Sequence, residues 1–242
     1  MIGIGMNMTR VDSLMGNSFI PSDLTGILSW HRSDTVTLNG SDVDEWPDLV
    51  NSNDLVAQGS NKADYLEDQV NGHPAFDIQN GGFLYKNALT NAASDYTMMF
   101  VFKGNSGGSN PLLYYALNDR NVIFYRIDAD GEIGYSDGSG NTASGLTSPT
   151  GWSVLIATMS VANGVRFFLN SNTGTFVESW TQKAITPTGA DTRVGVFTLW
   201  NGTSANLDGL AAEYLLMNRE INSDEINSLN SYVSSRYGIT IS

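Results

Sequence analysis

Trp200, Asn201 and Asp208 are the residue types in this chain best suited to holding a sugar. The C–H face of a sugar ring stacks on an indole, while amide and carboxylate groups take its hydroxyls. They lie around an Asn201-Gly202 loop, where Trp200 has the alternative role of closing a hairpin or packing on a sheet edge. Trp30, Trp46 and Trp152 stand in strand-like contexts and read as core. Asp128, Asp130 and Gly131 offer alternating carboxylates to a hard cation, but the later ligands of an EF-hand loop are missing, so a solvated hairpin turn is the reading. The two histidines, His31 and His73, begin no metal or triad pattern. His31 is expected on a strand surface and His73 in a turn before Pro74. With no Cys, thiolate nucleophiles, thiolate metal sites and disulfides are excluded together. These patterns assign no catalytic residue and no metal ligand.

The frame that must position these residues is globular: 242 residues, 41% hydrophobic and 15% charged, enough to bury a core without crosslinks. Twelve Lys and Arg against 25 Asp and Glu give a net charge of −13, which argues against nucleic acid or an anionic membrane surface as partner, since both are bound through clustered cations. No segment approaches 18 uninterrupted apolar residues, so membrane insertion is not expected. The first 16 residues lack a basic n-region and a continuous apolar h-region, so the chain is expected to be made in the cytoplasm without a signal peptide. Two glycosylation triplets, at Asn39 and Asn201, read as plain turn sequence.

From about Leu28 to Met217, polar turn residues punctuate short apolar runs rich in β-branched and aromatic side chains, the spacing of an all-β sandwich or barrel. Residues 96–102 are apolar at every position, as are most of 152–159, so these segments are expected as central strands covered on both faces. Asn163-Gly164 is the strongest local signal for a hairpin with a type I′ turn. A second hairpin is expected around 128–131. After Asn222, an N-cap with Glu225 three positions on, Ile226, Leu229, Val233 and Tyr237 recur at helical spacing up to Gly238, predicting one amphipathic helix over 223–237. Such a helix must lie against the sandwich, being too short to persist alone. Residues 1–20 read as an extended arm before a single domain at 21–242. Ile2, Ile4, Met6, Met8 and Arg10 are its candidate contacts on a neighbouring subunit; the alternatives are a frayed terminus and an edge strand of its own sheet.

Four segments, in order, resemble the concanavalin A-like jelly roll of the laminin G and lectin/glucanase superfamily. They are GILSWHRSD (26–34), VDEWPDLVNSND (43–54), NGHPAFDI (71–78) and the closing strand with its helix, LDGLAAEYLLMNREINSDEINSLNSYVSSRYGI (207–239). The resemblance implies two antiparallel sheets, a short C-terminal helix after the last strand, and calcium as the one conceivable cofactor. It says less about activity, because this fold hosts glycan binding, hydrolysis and pure architecture. The hydrolytic branch resembles a Glu-x-Asp-x-x-Glu strand motif, with carboxylates about 5 Å apart. No such motif occurs here, and Glu132, Glu178, Glu213 and Glu220 each lack a second glutamate at that spacing.

The front end, a glycine-isoleucine arm followed by FIPSDLTGILSWHRSD, resembles the start of tailed-phage virion proteins that carry such a domain. The function expected on that resemblance is non-enzymatic: a homo-oligomeric capsid decoration or a fibre or tail component in the virion. Its arm would dock on other virion proteins, with host-surface polysaccharide as a further partner. The alternatives are a lectin module for host glycans and a glycoside hydrolase or depolymerase.

Overall fold

A computed structural model describes residues 19–58, 62–77, 83–87, 95–104, 110–117, 121–127, 132–136, 141–147, 149–179, 193–196 and 209–242. These contain seventeen strands, numbered here in chain order, two short 3-10 helices and one α-helix, with every strand pairing antiparallel. The all-β sandwich expected from the sequence is the observed architecture.

One sheet runs in the order β1 (Ile27–Arg32), β17 (Gly209–Met217), β8 (Tyr96–Gly104), β13 (Ser153–Ser160), β14 (Gly164–Leu169) and β15 (Thr175–Glu178). β8 is buried at all but one residue and β13 throughout, because both of their faces are covered. The second sheet runs β2 (Thr37–Asn39), β3 (Asp42–Trp46), β4 (Leu55–Gln58), β7 (Phe83–Asn87), β16 (Arg193–Val196), β9 (Asn110–Leu117), β10 (Asn121–Ile127), β11 (Glu132–Ser136) and β12 (Asn141–Thr147). β5 (Asp64–Val70) and β6 (His73–Asp77) join the sheets, β5 through β3 and β6 through β17.

Alternate residues of the first sheet enter two separate cores. Met98, Phe100, Phe102, Leu155, Phe167 and Tyr214 meet Trp46, Leu55, Leu84 and Ile133 of the second sheet inside the sandwich. Met99, Val101, Ile156, Leu215 and Met217 face the other way, onto Ile226, Leu229, Val233 and Tyr237 of α1 (Ser223–Tyr237). The molecule thus has three layers: second sheet, first sheet, helix. Each fully buried aromatic or aliphatic side chain is worth about 1.5–3 kcal/mol, so the two cores together oppose the ordering entropy of the chain.

The helix matches its sequence signals. Asn222 Oδ1 accepts from the N–H groups of Asp224 (2.9 Å) and Glu225 (3.0 Å), and Glu225 accepts from the Asn222 N–H at 2.9 Å. Gly238 ends it at φ +68°, a conformation only glycine takes without cost. Arg219 grips Glu225 through two bonds of 2.6 and 2.9 Å and holds its carboxyl below the usual range.

Two local expectations are corrected. The β13–β14 hairpin forms, but Ser160 pairs with Gly164, giving a three-residue loop over 161–163 that is followed by Gly164 at positive φ (+73°), rather than a two-residue type I′ turn. The two-residue turn with both angles positive is instead Asn71-Gly72 (+48° and +77°), closing β5 on β6. The hairpin of β10 and β11 forms as expected, while residues 128–131 between them, including Asp128, Asp130 and Gly131, lie outside the described residues.

Candidate functional site

The densest polar arrangement joins the first strand, the last strand and the helix at Glu213. Trp30 Nε1 donates to Glu213 Oε1 at 2.6 Å, and the hydroxyls of Tyr237 (2.6 Å) and Tyr232 (3.1 Å) donate to Oε2. The Arg236 guanidinium stands 4.0 Å away and donates to Asp34 at 2.7 Å. Glu213 is wholly buried, and burial pushes its carboxyl above the ordinary range against the pull of Tyr237, Trp30, Arg236 and Tyr232. A carboxylate with three donors on its two oxygens and no exposed surface cannot meet a substrate. Glu213 is the pin that fixes α1 to the sheet, and sequence spacing gave no sign of it because its first partner lies 183 residues away.

The Asp- and Asn-rich loop after Trp46 is a second fastening. Asp48 accepts from the N–H groups of Trp30 (3.0 Å), Val50 (3.1 Å) and Asn53 (3.2 Å), while the Asn51 and Asn53 amides donate to the Leu28 carbonyl at 3.0 and 2.7 Å. His31 joins it: Nδ1–H donates to the carbonyls of Trp46 (2.9 Å) and Pro47 (3.0 Å), and its ring stacks on Tyr214 at 5.7 Å. Contrary to the surface position expected, His31 is fully buried, because α1 and the second sheet cover both faces of β1. Burial lowers its pKa to about 4, so it is neutral at pH 7. His73 follows the Asn71-Gly72 turn as the first residue of β6, edge-on to Tyr237. Neither histidine joins a metal cluster, and no group of three or more potential metal-binding side chains occurs among the described residues.

Two clefts flank the helix. One of about 620 Å³ is lined by Phe19, His73, Ser231, Tyr232 and Arg236; the other, of about 430 Å³, lies at the helix end and contains Trp152. Asn71 forms a wall of both. Trp30 and Trp46 are core, as expected. Trp152, expected there too, is only half-buried.

The far layer carries a continuous register row. Thr37 pairs with Glu45, Glu45 with Val56, Val56 with Tyr85, Tyr85 with Gly195, Gly195 with Tyr114, Tyr114 with Phe124, Phe124 with Ser136, and Ser136 with Asn141. Val56 is 44% exposed, whereas its flanking neighbours in the second sheet, Leu55 and Leu84, are buried, so Val56 itself lies on the face turned away from the core. Strand spacing puts Tyr85 and Phe124 ~14 Å apart, with Gly195 and Tyr114 between them. Sequence reasoning missed this row because it depends on β16 entering between β7 and β9, a pairing with no local signal.

Trp200, Asn201 and Asp208 lie outside the described residues, as do Ile2, Ile4, Met6, Met8 and Arg10 of the arm. The structure therefore places none of them.

No family model and no curated protein matches the chain. Solved structures do. Domain 4 of an extracellular GH43 arabinanase from Geobacillus stearothermophilus, in complex with arabinotriose, superposes with a TM-score of 0.64 at 13% identity over 85% of this chain and 98% of that domain. A Trypanosoma rangeli sialidase in complex with sialic acid gives 0.61 at 14% identity over 90% of this chain and 35% of the sialidase. A GH54 α-L-arabinofuranosidase soaked with a cyclic sulfate inhibitor gives 0.64 at 9% identity over 87% and 63%. The chain thus spans about a third of the sialidase and nearly all of the arabinanase domain.

At these identities the likeness establishes the fold. It also corrects the functional expectation of a non-enzymatic virion structural protein, because these neighbours are glycoside hydrolases or a domain of one. The phage reading rested on a short, compositionally simple arm, and the sandwich that makes up most of the described residues points elsewhere.

Proposed function

We propose that this chain is a carbohydrate-binding sandwich of the kind carried by glycoside hydrolases, and that it takes a short neutral oligosaccharide across the outer face of its second sheet. The observation that carries the reading is the row Tyr85, Gly195, Tyr114, Phe124: aromatic residues at neighbouring register positions, interrupted by the one residue without a side chain. Aromatic rings supply the apolar contact a sugar face needs, and ~14 Å is about the length of a trisaccharide. The likeness to an arabinanase domain bound to arabinotriose supports the same ligand class. Trp200 follows β16 by four residues, which keeps it a candidate for the rim of this face.

The test is calorimetric titration with arabinotriose and xylotriose, using the full chain and the Tyr114→Ala and Phe124→Ala variants. Binding that weakens at least tenfold in either variant, with unchanged melting temperature, is the expected result. Binding indifferent to both substitutions would remove the row from the site.

The hydrolase neighbours favour a second reading, glycoside hydrolysis. The row's own carboxylate, Glu45, lies six strands from β11, the strand of Glu132, ~29 Å across the sheet, far beyond the roughly 5–9.5 Å that a catalytic pair needs. Release of reducing sugar from arabinan or xylan, abolished by a single carboxylate-to-amide substitution, would establish hydrolysis and locate its residues.

A further inference from the structure

The cleft at the end of α1 lies in the layer opposite the proposed row and shares no residue with it. Its lining is chemically distinctive. In a chain with 37 charged residues (12 basic and 25 acidic), the cleft is walled by Gln69, Val70, Asn71, Trp152, Asn170 and the segment from Tyr237 to Thr240, none of them charged. A neutral lining excludes an ionic ligand, since nothing there would replace the water lost by a charge.

The polar groups are held in place before any ligand arrives. Trp152 Nε1 donates to the Gln69 carbonyl at 3.0 Å, and the indole body packs beside the helix-side core. Asn170 is fixed through four groups: its Oδ1 accepts from the Val154 N–H at 2.8 Å, its Nδ2 donates to Ser153 Oγ at 3.0 Å, its N–H donates to the Val154 carbonyl at 2.9 Å, and its carbonyl accepts from the Ser242 N–H at 2.8 Å. Asn71 Nδ2 donates to the Arg236 carbonyl at 2.8 Å. The Asn71 Oδ1, the Gln69 Oε1 and the Thr240 hydroxyl remain unspent among the described residues. A rigid, half-exposed indole beside fixed amides with spare capacity is the donor set of a neutral sugar ring. The volume, about 430 Å³, lies within the ~300–1,000 Å³ usual for small-ligand sites and admits one or two rings.

We infer that the Trp152 cleft is a second, independent saccharide site for a neutral glycan. This rests on the proposed glycan-binding function and extends it: one domain holds sugar on two opposite faces and can bridge two chains or two branches of one polymer. Bridging converts two weak contacts into one strong attachment without any new interface.

The experiment is heteronuclear NMR titration of the full chain with arabinotriose and xylotriose. It follows the Trp152 indole N–H and the Asn71 and Asn170 side-chain amides, alongside the Tyr114 and Phe124 backbone signals. Thr240→Trp, at an exposed position, fills the cleft without disturbing the core, and Tyr114→Ala disables the row. The expected result is saturable shifts at both groups of signals. Thr240→Trp should weaken the Trp152 response at least tenfold while sparing the row, and Tyr114→Ala should do the reverse. Shifts confined to the row would overturn the second site and leave the glycan reading standing. Trp152 shifts that persist in Thr240→Trp, or vanish with Tyr114→Ala, would overturn its independence. Silence at both groups with both sugars would overturn the glycan reading and the inference together.

Discussion

Replacing Glu213 by Gln tests whether the buried carboxylate is the pin between helix and sheet. The amide keeps the shape but exchanges one acceptor oxygen for a donor. If its N–H₂ faces Trp30 Nε1, donor meets donor where a 2.6 Å bond stood; if it faces the tyrosines, their hydroxyl hydrogens lose their acceptor. In either orientation Arg236 loses the anion 4.0 Å away. Hydrogen bonds to charged groups are worth about 1.5–3 kcal/mol each, and breaking a buried charged network costs about 3–5 kcal/mol, from which the relief of desolving a charge must be subtracted. A net loss of about 2–4 kcal/mol is expected. For a domain of this size each kcal/mol lowers Tm by roughly 2–4 °C, so the variant should melt about 5–15 °C lower. Urea denaturation followed by tryptophan fluorescence and by far-ultraviolet circular dichroism measures both the loss and its cooperativity. Trp30→Phe, which removes one donor only, should cost about 1–2 kcal/mol. A Glu213→Gln protein within 0.5 kcal/mol of the parent would refute the argument, since it would mean that the network confers specificity at most and no stability.

His31 gives a pH dependence of definite sign. Its folded pKa, about 4, lies below the ordinary value of 6.5, so the unfolded chain binds the extra proton first; its contribution is complete above about pH 6.5 and is lost as pH falls towards 4, roughly 3 kcal/mol in all. Glu213, raised from 4.5, acts in the opposite sense and loses stability as pH rises above that value, so the clean comparison is the slope between pH 6.5 and 4 in the parent and in His31→Phe, where the His31 component should vanish. Gly164→Ala should lower stability by about 1–3 kcal/mol, because φ there is +73° and an added Cβ would strike the Glu178 carbonyl and the Phe176 ring. Chemical denaturation measures it, and an unaffected midpoint would contradict the loop geometry. Asn222→Ala removes the acceptor of two helix N–H groups and should cost about 1 kcal/mol, read as earlier loss of helix signal on heating.

What the sequence disclosed followed the range of each interaction. The capping box at Asn222 and Glu225, the stripe from Ile226 to Tyr237 and the stop at Gly238 are all settled within a turn or two of helix, and each was legible. The buried strands β8 and β13 were equally so, since unbroken apolar runs mean cover on both sides. His31 was misjudged because a histidine between Trp30 and Arg32 looks like the outward member of an alternating strand, whereas the helix layer and the second sheet leave β1 no outward face. The Asn163-Gly164 pair signals a hairpin but not its register, which Ser160 sets by pairing with Gly164. The Glu213 pin and the row through Tyr85, Gly195, Tyr114 and Phe124 were invisible for one reason. Each requires strands far apart in sequence to be brought side by side, and no residue type announces its distant neighbour.

The placement of Glu213 has a further consequence for how such a domain diverges. Its partners all lie on the helix side of the first sheet, so the outer surface of the second sheet carries none of the interactions that fasten the last strand to the helix. Substitutions on that surface can accumulate without loosening the attachment of the helix. An architecture divided in this way can be retained while its outer surface is rewritten, in keeping with the likeness in fold between this chain and the solved structures at 9–14% identity.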